Sequence, residues 1–579
     1  MKNLQIFIVL LLLSFYSTLT YGQKFNHTKA QEIIHTSIQK AYAASVRIWG
    51  FDVEKQIRTS GQFSGVVVSA EGHLLTAAHV NVPGNTYKVM FPDGSSQIAK
   101  GLGEIELEGN RSIPDVAMMK IITAGKWPYA EMGWSYNLKK NEPCISISYP
   151  ETLNQTLPTV RFGYVAEVQN KYGFVRSTCL MEPGDSGGPL FDAYGRVIGM
   201  HSAIDIDEKD NFEVPIDLYR KYWTALTKSE TYKAYPVPED AIGIDSLATR
   251  IKSLPALESM EQNFDKNAER LKSVACLIKS NVDGKLKQVQ GTVFQSNTYP
   301  LNETFRNRSF LIGKSSLIGD QPVVEVGGSK VPATIIARDR DRDLVLLLAS
   351  SNLKGGIKIA QPSSDTLKFG DLGKLLMSRL FDGAYKISII GSMEFTLPKL
   401  KSGGFLGAGI GFQEGDLFLT FINPNTPASD GKLETGDKIL GLDGVRYTNP
   451  DDFFKAYQKH WPGDEVVLMI GRKQDKQPDT ILQCKITLGT VPERHFDHPA
   501  DKFAGGKSNR RDGFDRVFAH DAILKPEDCG SAVFDLDGHF YGINIARFSR
   551  TSTITIPASE VFRFILQTTQ LNINDHTKS

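Results

Sequence analysis

Short segments of the first half of the chain return in the second half in the same order, and this duplication limits the fold more than any other feature. Ala44-Ser45-Val46-Arg47-Ile48 corresponds to Lys272-Ser273-Val274-Ala275-Cys276, and Gly65-Val66-Val67-Val68 to Gly291-Thr292-Val293-Phe294. Asp115-Val116-Ala117-Met118 returns as Asp343-Leu344-Val345-Leu346, the run Pro183–Asp192 as Pro526–Asp535, and Val214-Pro215-Ile216 as Ile556-Pro557-Ala558. Matches kept in register imply two tandem copies of one unit. Apart from a helical stretch over residues 28–45, where Ile34, Ile38 and Tyr42 fall on one face, each copy reads as short β runs broken by Gly, Pro, Asn and Asp. The expected class is mainly β.

The second copy is interrupted. Residues 403–490 follow another pattern, with Gly-Phe-Leu-Gly-Ala-Gly-Ile at the start and Gly436-Asp-Lys-Ile-Leu-Gly-Leu-Asp-Gly444 further on. Pro236 and Pro238 mark a break between the copies.

The chemistry concentrates in the first copy. Gly184-Asp185-Ser186-Gly187-Gly188-Pro189 holds a serine between glycines, which lets the backbone turn sharply and aim N–H groups at one point. A serine hydroxyl needs a base and a site for negative charge. His79, in Thr76-Ala77-Ala78-His79, is the candidate base, and Asp115 is the candidate carboxylate that orients it. The backbone N–H groups of Gly184 and Ser186 are the candidate oxyanion donors.

In the order His79, Asp115, Ser186, these motifs resemble the trypsin-like (chymotrypsin-fold) serine peptidases, and with the insert they look most like the HtrA (DegP-like) branch. The resemblance implies two tandem trypsin-like double β-barrel domains, the second interrupted by a PDZ-like domain. The implied division is a signal peptide at 1–22, a peptidase domain at 23–227, and a linker at 228–262. A degenerate protease-like domain then occupies 263–402 and 493–570, the PDZ-like domain 403–492, and a tail 571–579. It also implies a serine endopeptidase acting on proteins or peptides through an acyl-enzyme. Leu180 would floor the S1 pocket, and Ser202, Ala203 and Ile204 would pair with the substrate backbone. An apolar Leu180 suits a small or apolar P1 residue. His201, beside that strand, reads as structural. The alternative is a non-catalytic scaffold of protease fold that binds peptides or partner proteins. One departure from the HtrA pattern is that the PDZ-like domain sits inside the second copy instead of following the first.

In the second copy, Ser316 stands at the histidine position, Asp343 at the acid position and Cys529 at the nucleophile position. A cysteine needs a base or a cationic neighbour to form thiolate, and the register supplies none. His520 is nine residues away on the preceding strand. Cys529 is therefore expected to be a buried, inert thiol. In the PDZ-like domain, Phe405, Leu406, Gly407 and Ala408 would offer backbone N–H groups to the C-terminus of a peptide added as a strand. The other reading is a groove filled by the chain's own residues.

The remaining features mostly exclude. With 66 basic and 65 acidic side chains, nothing points to nucleic acid. Lys2, the apolar stretch from Ile6 to Leu13 and small residues before Gln23 read as a secretory signal, which predicts a secreted or periplasmic protein with no membrane span once the signal is removed. The 5 cysteines are scattered, with no zinc spacing, and no motif calls for a metal or cofactor. A homo-oligomer is left open.

Overall fold

The structure, a computed structural model, describes residues 27–571 apart from 108–112, 239, 241–242, 248–263, 266–267, 270, 283, 297–300, 302–304, 414, 475–476 and 493–497. The expected signal segment lies outside the described residues. No helix among them is long and apolar enough to cross a membrane.

The chain is mostly β. Ser45–Asp52, Ile57–Val67, His73–Thr76, Thr86–Met90, Ser96–Ile105 and Val116–Ile121 form one sheet, and the pairing of the last two closes it into a barrel. Val46, Ile48, Phe63, Val67, Val89 and Met119 fill its interior. The strands from Pro143–Ser148 to Asn211–Pro215 make a second closed barrel. The stretch after 227, expected as linker, is in its described part attached to this unit. Thr231–Tyr232 pairs in parallel with Ser96–Ile105, and Asp245 meets buried Arg196 at 3.1 Å. Arg196 also pairs with Asp192 of the same hairpin at 2.8 Å, so Asp245 brings it a second carboxylate from beyond residue 227.

The second half repeats the first barrel closely. Strands from Ala275–Val282 to Leu344–Ala349 close through the pairing of Ala275–Val282 with Lys285–Gln295. Cys276, Ile278, Val293, Leu311, Val324 and Leu347 fill this interior. In the last barrel Tyr385–Ile389 and Phe395–Leu397 are separate strands at opposite ends of a seven-stranded sheet, and a single bridge from Ile390 to His520 joins the two ends. Between them Gly391 accepts from Val160 N of the first copy at 2.8 Å and donates to the Ala519 carbonyl at 2.9 Å. The strand is interrupted where its backbone turns toward the neighbouring copy.

The insert has its own core, including Leu419, Ile439, Phe453, Val466 and Ile470. Its sheet runs in the order Ala408–Gln413, Asp416–Ile422, Lys438–Leu442, Glu465–Gln474, Gln477–Thr487. Asn449 caps the helix Pro450–Tyr457 by accepting from Asp451 N at 2.8 Å. The insert meets the second copy at Trp461, with the Lys399 ammonium 3.3 Å and the Arg510 guanidinium 3.6 Å from the ring centroid.

The two copies pack directly on each other. One continuous apolar cluster includes Ile147, Val160 and Met200 of the first copy and Leu375, Val517 and Ile543 of the second. The Asp521 carboxylate accepts from Phe162 N and Ile389 N, both at 2.8 Å, and burial pushes it up to about 6. The N-terminal helix His27–Ala41 is wedged between the copies. Ser37 Oγ donates to the Asp192 carbonyl at 2.9 Å, and Gln31 Nε2 donates to the Gly373 carbonyl while its Oε1 accepts from Leu375 N, both at 2.7 Å. Gly373 has φ +79, and a Cβ there would lie 2.3 Å from Ile38 Cδ1. Ile38 is fully buried. Ile38→Ala is expected to lower unfolding stability by about 2–4 kcal/mol in urea titrations, the cost of a core cavity.

Candidate active site

Adjacent strands bring His79 and Asp115 together. Thr76 pairs with Ala117 in the first barrel, so His79, on the 3-10 turn that follows His73–Thr76, faces Asp115, which precedes Val116–Ile121. Asp115 Oδ2 accepts from His79 Nδ1 at 2.8 Å and from His79 N at 3.0 Å. Asp115 Oδ1 accepts from the Ser202 hydroxyl. Burial pushes the Asp115 carboxyl up, but the bonds from His79 and Ser202 outweigh it and hold the group below its ordinary range. An ionised Asp115 fixes the proton on Nδ1 and makes Nε2 the basic nitrogen. The His79 side chain is 41% exposed, so its ring is reachable from solvent.

The loop of the candidate nucleophile Ser186 is held from both barrels. Ser64 N donates to the Ser186 carbonyl at 2.9 Å, and Ser64 Oγ donates to the Gly184 carbonyl at 2.8 Å. Gly184 has φ +95, and a Cβ there would lie 2.5 Å from Glu151 N. At Gly187, φ +74, a Cβ would lie 2.0 Å from Thr76 Oγ1. Neither position admits another residue. Among the described residues, the N–H groups of Gly184 and Ser186 donate to no protein group.

Beneath the loop lies a charge pair that the sequence reading missed. Arg161 Nη1 donates to Asp185 Oδ2 at 2.7 Å and Nη2 to Oδ1 at 2.6 Å, with side chains 3% and 1% exposed. Ser148 Oγ and Glu182 N complete the shell of Asp185, and Arg161 also donates to the Leu180 carbonyl at 2.6 Å. Arg161 lies mid-strand, and its only sequence signal is a charge inside an otherwise apolar run.

The expected specificity residues fall on two segments. Leu180 is buried and lines a cavity of about 250 Å³ together with Phe162, Tyr164, Lys386, Ile523 and Thr551, so the second copy contributes to it. Ala203 and Ile204 are half-buried on the strand Val197–Ile204, whose register slips between His201 and Ala203. At that irregularity the Ser202 hydroxyl reaches Asp115, a side-chain role beside the backbone pairing expected of this strand. His201 is sealed in the barrel, 2.7 Å from Ser146 Oγ and 3.6 Å from Glu213.

The second copy keeps the frame and changes its chemistry. Asp343 Oδ1 accepts from Ser316 N at 2.7 Å, as Asp115 does from His79 N, and Asp343 Oδ2 accepts from Ser316 Oγ at 2.8 Å. Lys314, 1% exposed, donates to the same Oδ2 at 2.6 Å and to the carbonyls of Ile545 and Arg510 at 2.7 and 2.9 Å. The expectation that Cys529 lacks a cationic neighbour is therefore corrected: the Lys314 charge reaches it through the fold. Burial nevertheless dominates and pushes the Cys529 thiol up. Glu527 stands where the first copy has Gly184 and does not take the positive φ that Gly184 adopts. The loop becomes the 3-10 turn Pro526–Asp528, and Cys529 N donates to the Pro526 carbonyl at 3.2 Å. His520 does not serve Cys529. Its Nε2 meets Asn544 Oδ1 at 2.7 Å and its Nδ1 accepts from Ala522 N at 3.3 Å.

In the insert, Gly407 has φ +83 against Thr426, and the Leu406 carbonyl accepts from Ala428 N at 2.8 Å. Tyr457 donates its hydroxyl to the Gly404 carbonyl at 2.8 Å. Ala408–Gln413 lies at the edge of its sheet. Among the described residues, one group could hold a metal ion, Asp535, Asp537 and His539, on a hairpin. Asp535 accepts there from the N–H groups of Asp537 and His539, which is ordinary turn bonding.

Residues 63–200 match the trypsin-like peptidase domain family and residues 404–481 the PDZ domain family. The chain thus carries a trypsin-like peptidase domain and a PDZ domain. Over 167 residues it is 33% identical to the putative serine protease HhoB of Synechocystis sp., covering 28% of this chain and 38% of that protein. Over 205 residues it is 28% identical to HhoA of the same organism, covering 33% and 48%. A probable periplasmic serine endoprotease, DegP-like, of Pseudomonas fluorescens is 31% identical over 178 residues, covering 29% and 35%. The chain spans less than half the length of each of these relatives.

Asp185→Ala, which leaves Arg161 buried and unpaired, is expected to cost about 3–5 kcal/mol in chemical denaturation, while the double variant Arg161→Met with Asp185→Leu recovers most of that loss. His520 is held by burial at about 4, so it stays neutral in the fold while an unfolded imidazole gains its proton near 6.5. Stability therefore falls as pH drops from about 6.5 to about 4, and His520→Asn is expected to flatten that slope. The raised folded pKa of Asp521 acts in the opposite direction over part of this window, so the slope is read as the difference between variant and wild type.

Proposed function

We propose that this protein is an exported serine endopeptidase in which Ser186 attacks the peptide carbonyl, His79 takes and returns the proton, and Asp115 holds the imidazole. One observation carries the reading: Asp115 accepts from His79 Nδ1 at 2.8 Å while the N–H groups of Gly184 and Ser186 remain without protein acceptors among the described residues. Attack forms the bond from Ser186 Oγ to the carbonyl carbon, and the oxyanion forms between those N–H groups. His79 then passes the proton to the leaving amine, and water releases the acyl group by the same steps in reverse. The relatives' names, serine protease and DegP-like endoprotease, support the same class.

We also propose that the second copy is catalytically silent. The bond from Cys529 N to the Pro526 carbonyl supports this, because it consumes the donor that an oxyanion would need. The edge strand Ala408–Gln413 supports capture of an extended peptide by the PDZ domain, with substrate proteins as the partners. The apolar Leu180 supports a small or apolar P1 residue.

A fluorophosphonate probe read by intact mass tests the assignment. One adduct is expected on wild type and on Cys529→Ala, and none on Ser186→Ala. His79→Ala is expected to lower kcat by roughly 10⁴-fold or more. Absence of an adduct on folded wild type would instead favour a binding scaffold, and a P1 preference for Lys or Arg in a peptide library would overturn the apolar pocket.

A further inference from the structure

The second copy touches the first at the segments that wall the candidate S1 pocket. Arg547–Thr551 forms a turn at the end of strand Phe540–Arg547, closed by Phe548 N donating to the Ser552 carbonyl at 3.0 Å. From this turn Thr551 Oγ1 donates to Glu182 Oε2 at 3.0 Å, and Glu182 lies two residues before Gly184. Arg550 donates to the carbonyls of Asp205 and Asp207 at 3.1 and 3.2 Å, directly after Ser202–Ile204. Arg547 and Arg550 are both fully buried.

The two gripped segments are themselves linked. Asn211 Nδ2 donates to the Glu208 carbonyl at 2.8 Å, and Asn211 Oδ1 accepts from Met181 N at 3.1 Å. Ala504 N of the second copy donates to the Glu208 carboxylate at 3.2 Å. Thr551 also lines the cavity behind Leu180. Arg550 also donates to the Pro499 carbonyl at 3.4 Å, and moving the 205–207 loop would cost this buried guanidinium two of its three carbonyl acceptors.

We propose that the Arg547–Thr551 turn of the second copy is a specificity-determining element of the first, positioning residues 180–186 and 202–211 so that the P1 pocket is built by both copies together. The disarmed copy is then a permanent internal part of the substrate site. The assignment rests on the peptidase reading for its kinetic consequence and on the hydrogen bonds alone for its structural one.

The test uses the full chain with Thr551→Val, Arg550→Gln and, as reference, Gln31→Ala, which removes inter-copy hydrogen bonds on the N-terminal helix. Thr551→Val and Arg550→Gln are expected to raise KM roughly tenfold, the scale of one hydrogen bond, with a shifted P1 profile and little change in kcat. Gln31→Ala is expected to lower Tm and leave KM and the P1 profile as in wild type. Hydrogen exchange is expected to speed up in 180–186 and 202–211 for the first two variants only. The proposal is overturned if Thr551→Val and Arg550→Gln change Tm alone, with KM, P1 profile and exchange in both segments unaltered. If wild type cleaves nothing, the peptidase reading falls by itself. Exchange then decides the positioning role: faster exchange supports it and unchanged exchange overturns it.

Discussion

A guanidinium and a carboxylate sealed under the nucleophile loop are the interaction on which the rest of the site depends. Removing both charges from water is costly, and the pair is tolerated because the carboxylate's remaining lone pairs are used. Asp185 accepts from both Arg161 nitrogens, Ser148 and the Glu182 amide, and Arg161 gives a further bond to the Leu180 carbonyl. These contacts leave the segment from Leu180 to Asp185 no room to rotate. The left-handed Gly184, φ +95, sits directly beside that restraint. The strand that carries Arg161 also carries Val160 and Phe162, whose amides bond to the second copy. One strand thus holds the nucleophile loop on one side and the docking of the two copies on the other.

The two copies show how little must change to alter a site on a constant frame. Asp115 and Asp343 each accept the backbone N–H of the residue at the histidine position. In the first copy the carboxylate then meets an imidazole, and in the second a hydroxyl and a buried ammonium. The nucleophile loops part at one position. Glycine at 184 accepts φ +95 at no steric cost, whereas glutamate at 527 leaves a 3-10 turn that folds its own amide bond across the former opening. Lys314, tied to the Arg510 carbonyl, also links this altered site to the residue that stacks on Trp461 of the insert. The second site thereby connects the insert to the sheet.

Much of this was legible in the sequence, because it depends on local backbone requirements. The glycines of Gly-Asp-Ser-Gly-Gly, the short β runs and the duplication each reflect a constraint that acts within a few residues, and they carried the mainly β class and pointed to His79, Asp115 and Ser186 as candidates. The 3.6-residue spacing of Ile34 and Ile38 likewise carried the helix. Contacts between distant segments were not legible. Nothing in the local sequence of Arg161 names Asp185, and nothing in Lys314 names Asp343 or the carbonyls of Arg510 and Ile545. Ser202 was read from its position on a strand, and the irregularity that turns its hydroxyl to Asp115 depends on pairing with Asn211–Pro215.

The sequence by itself therefore determined which residue types stand in the two sites, since a serine between glycines and a candidate His and Asp are local features. Tertiary structure decided which amides stay free, which charges are paired and how the first unit reaches past residue 227. It also decided that the walls behind Leu180 come from both copies. The physical reason is that burial and hydrogen-bond satisfaction are properties of a three-dimensional neighbourhood. A carbonyl or a guanidinium has the same sequence signature whether its partner is three residues away or three hundred.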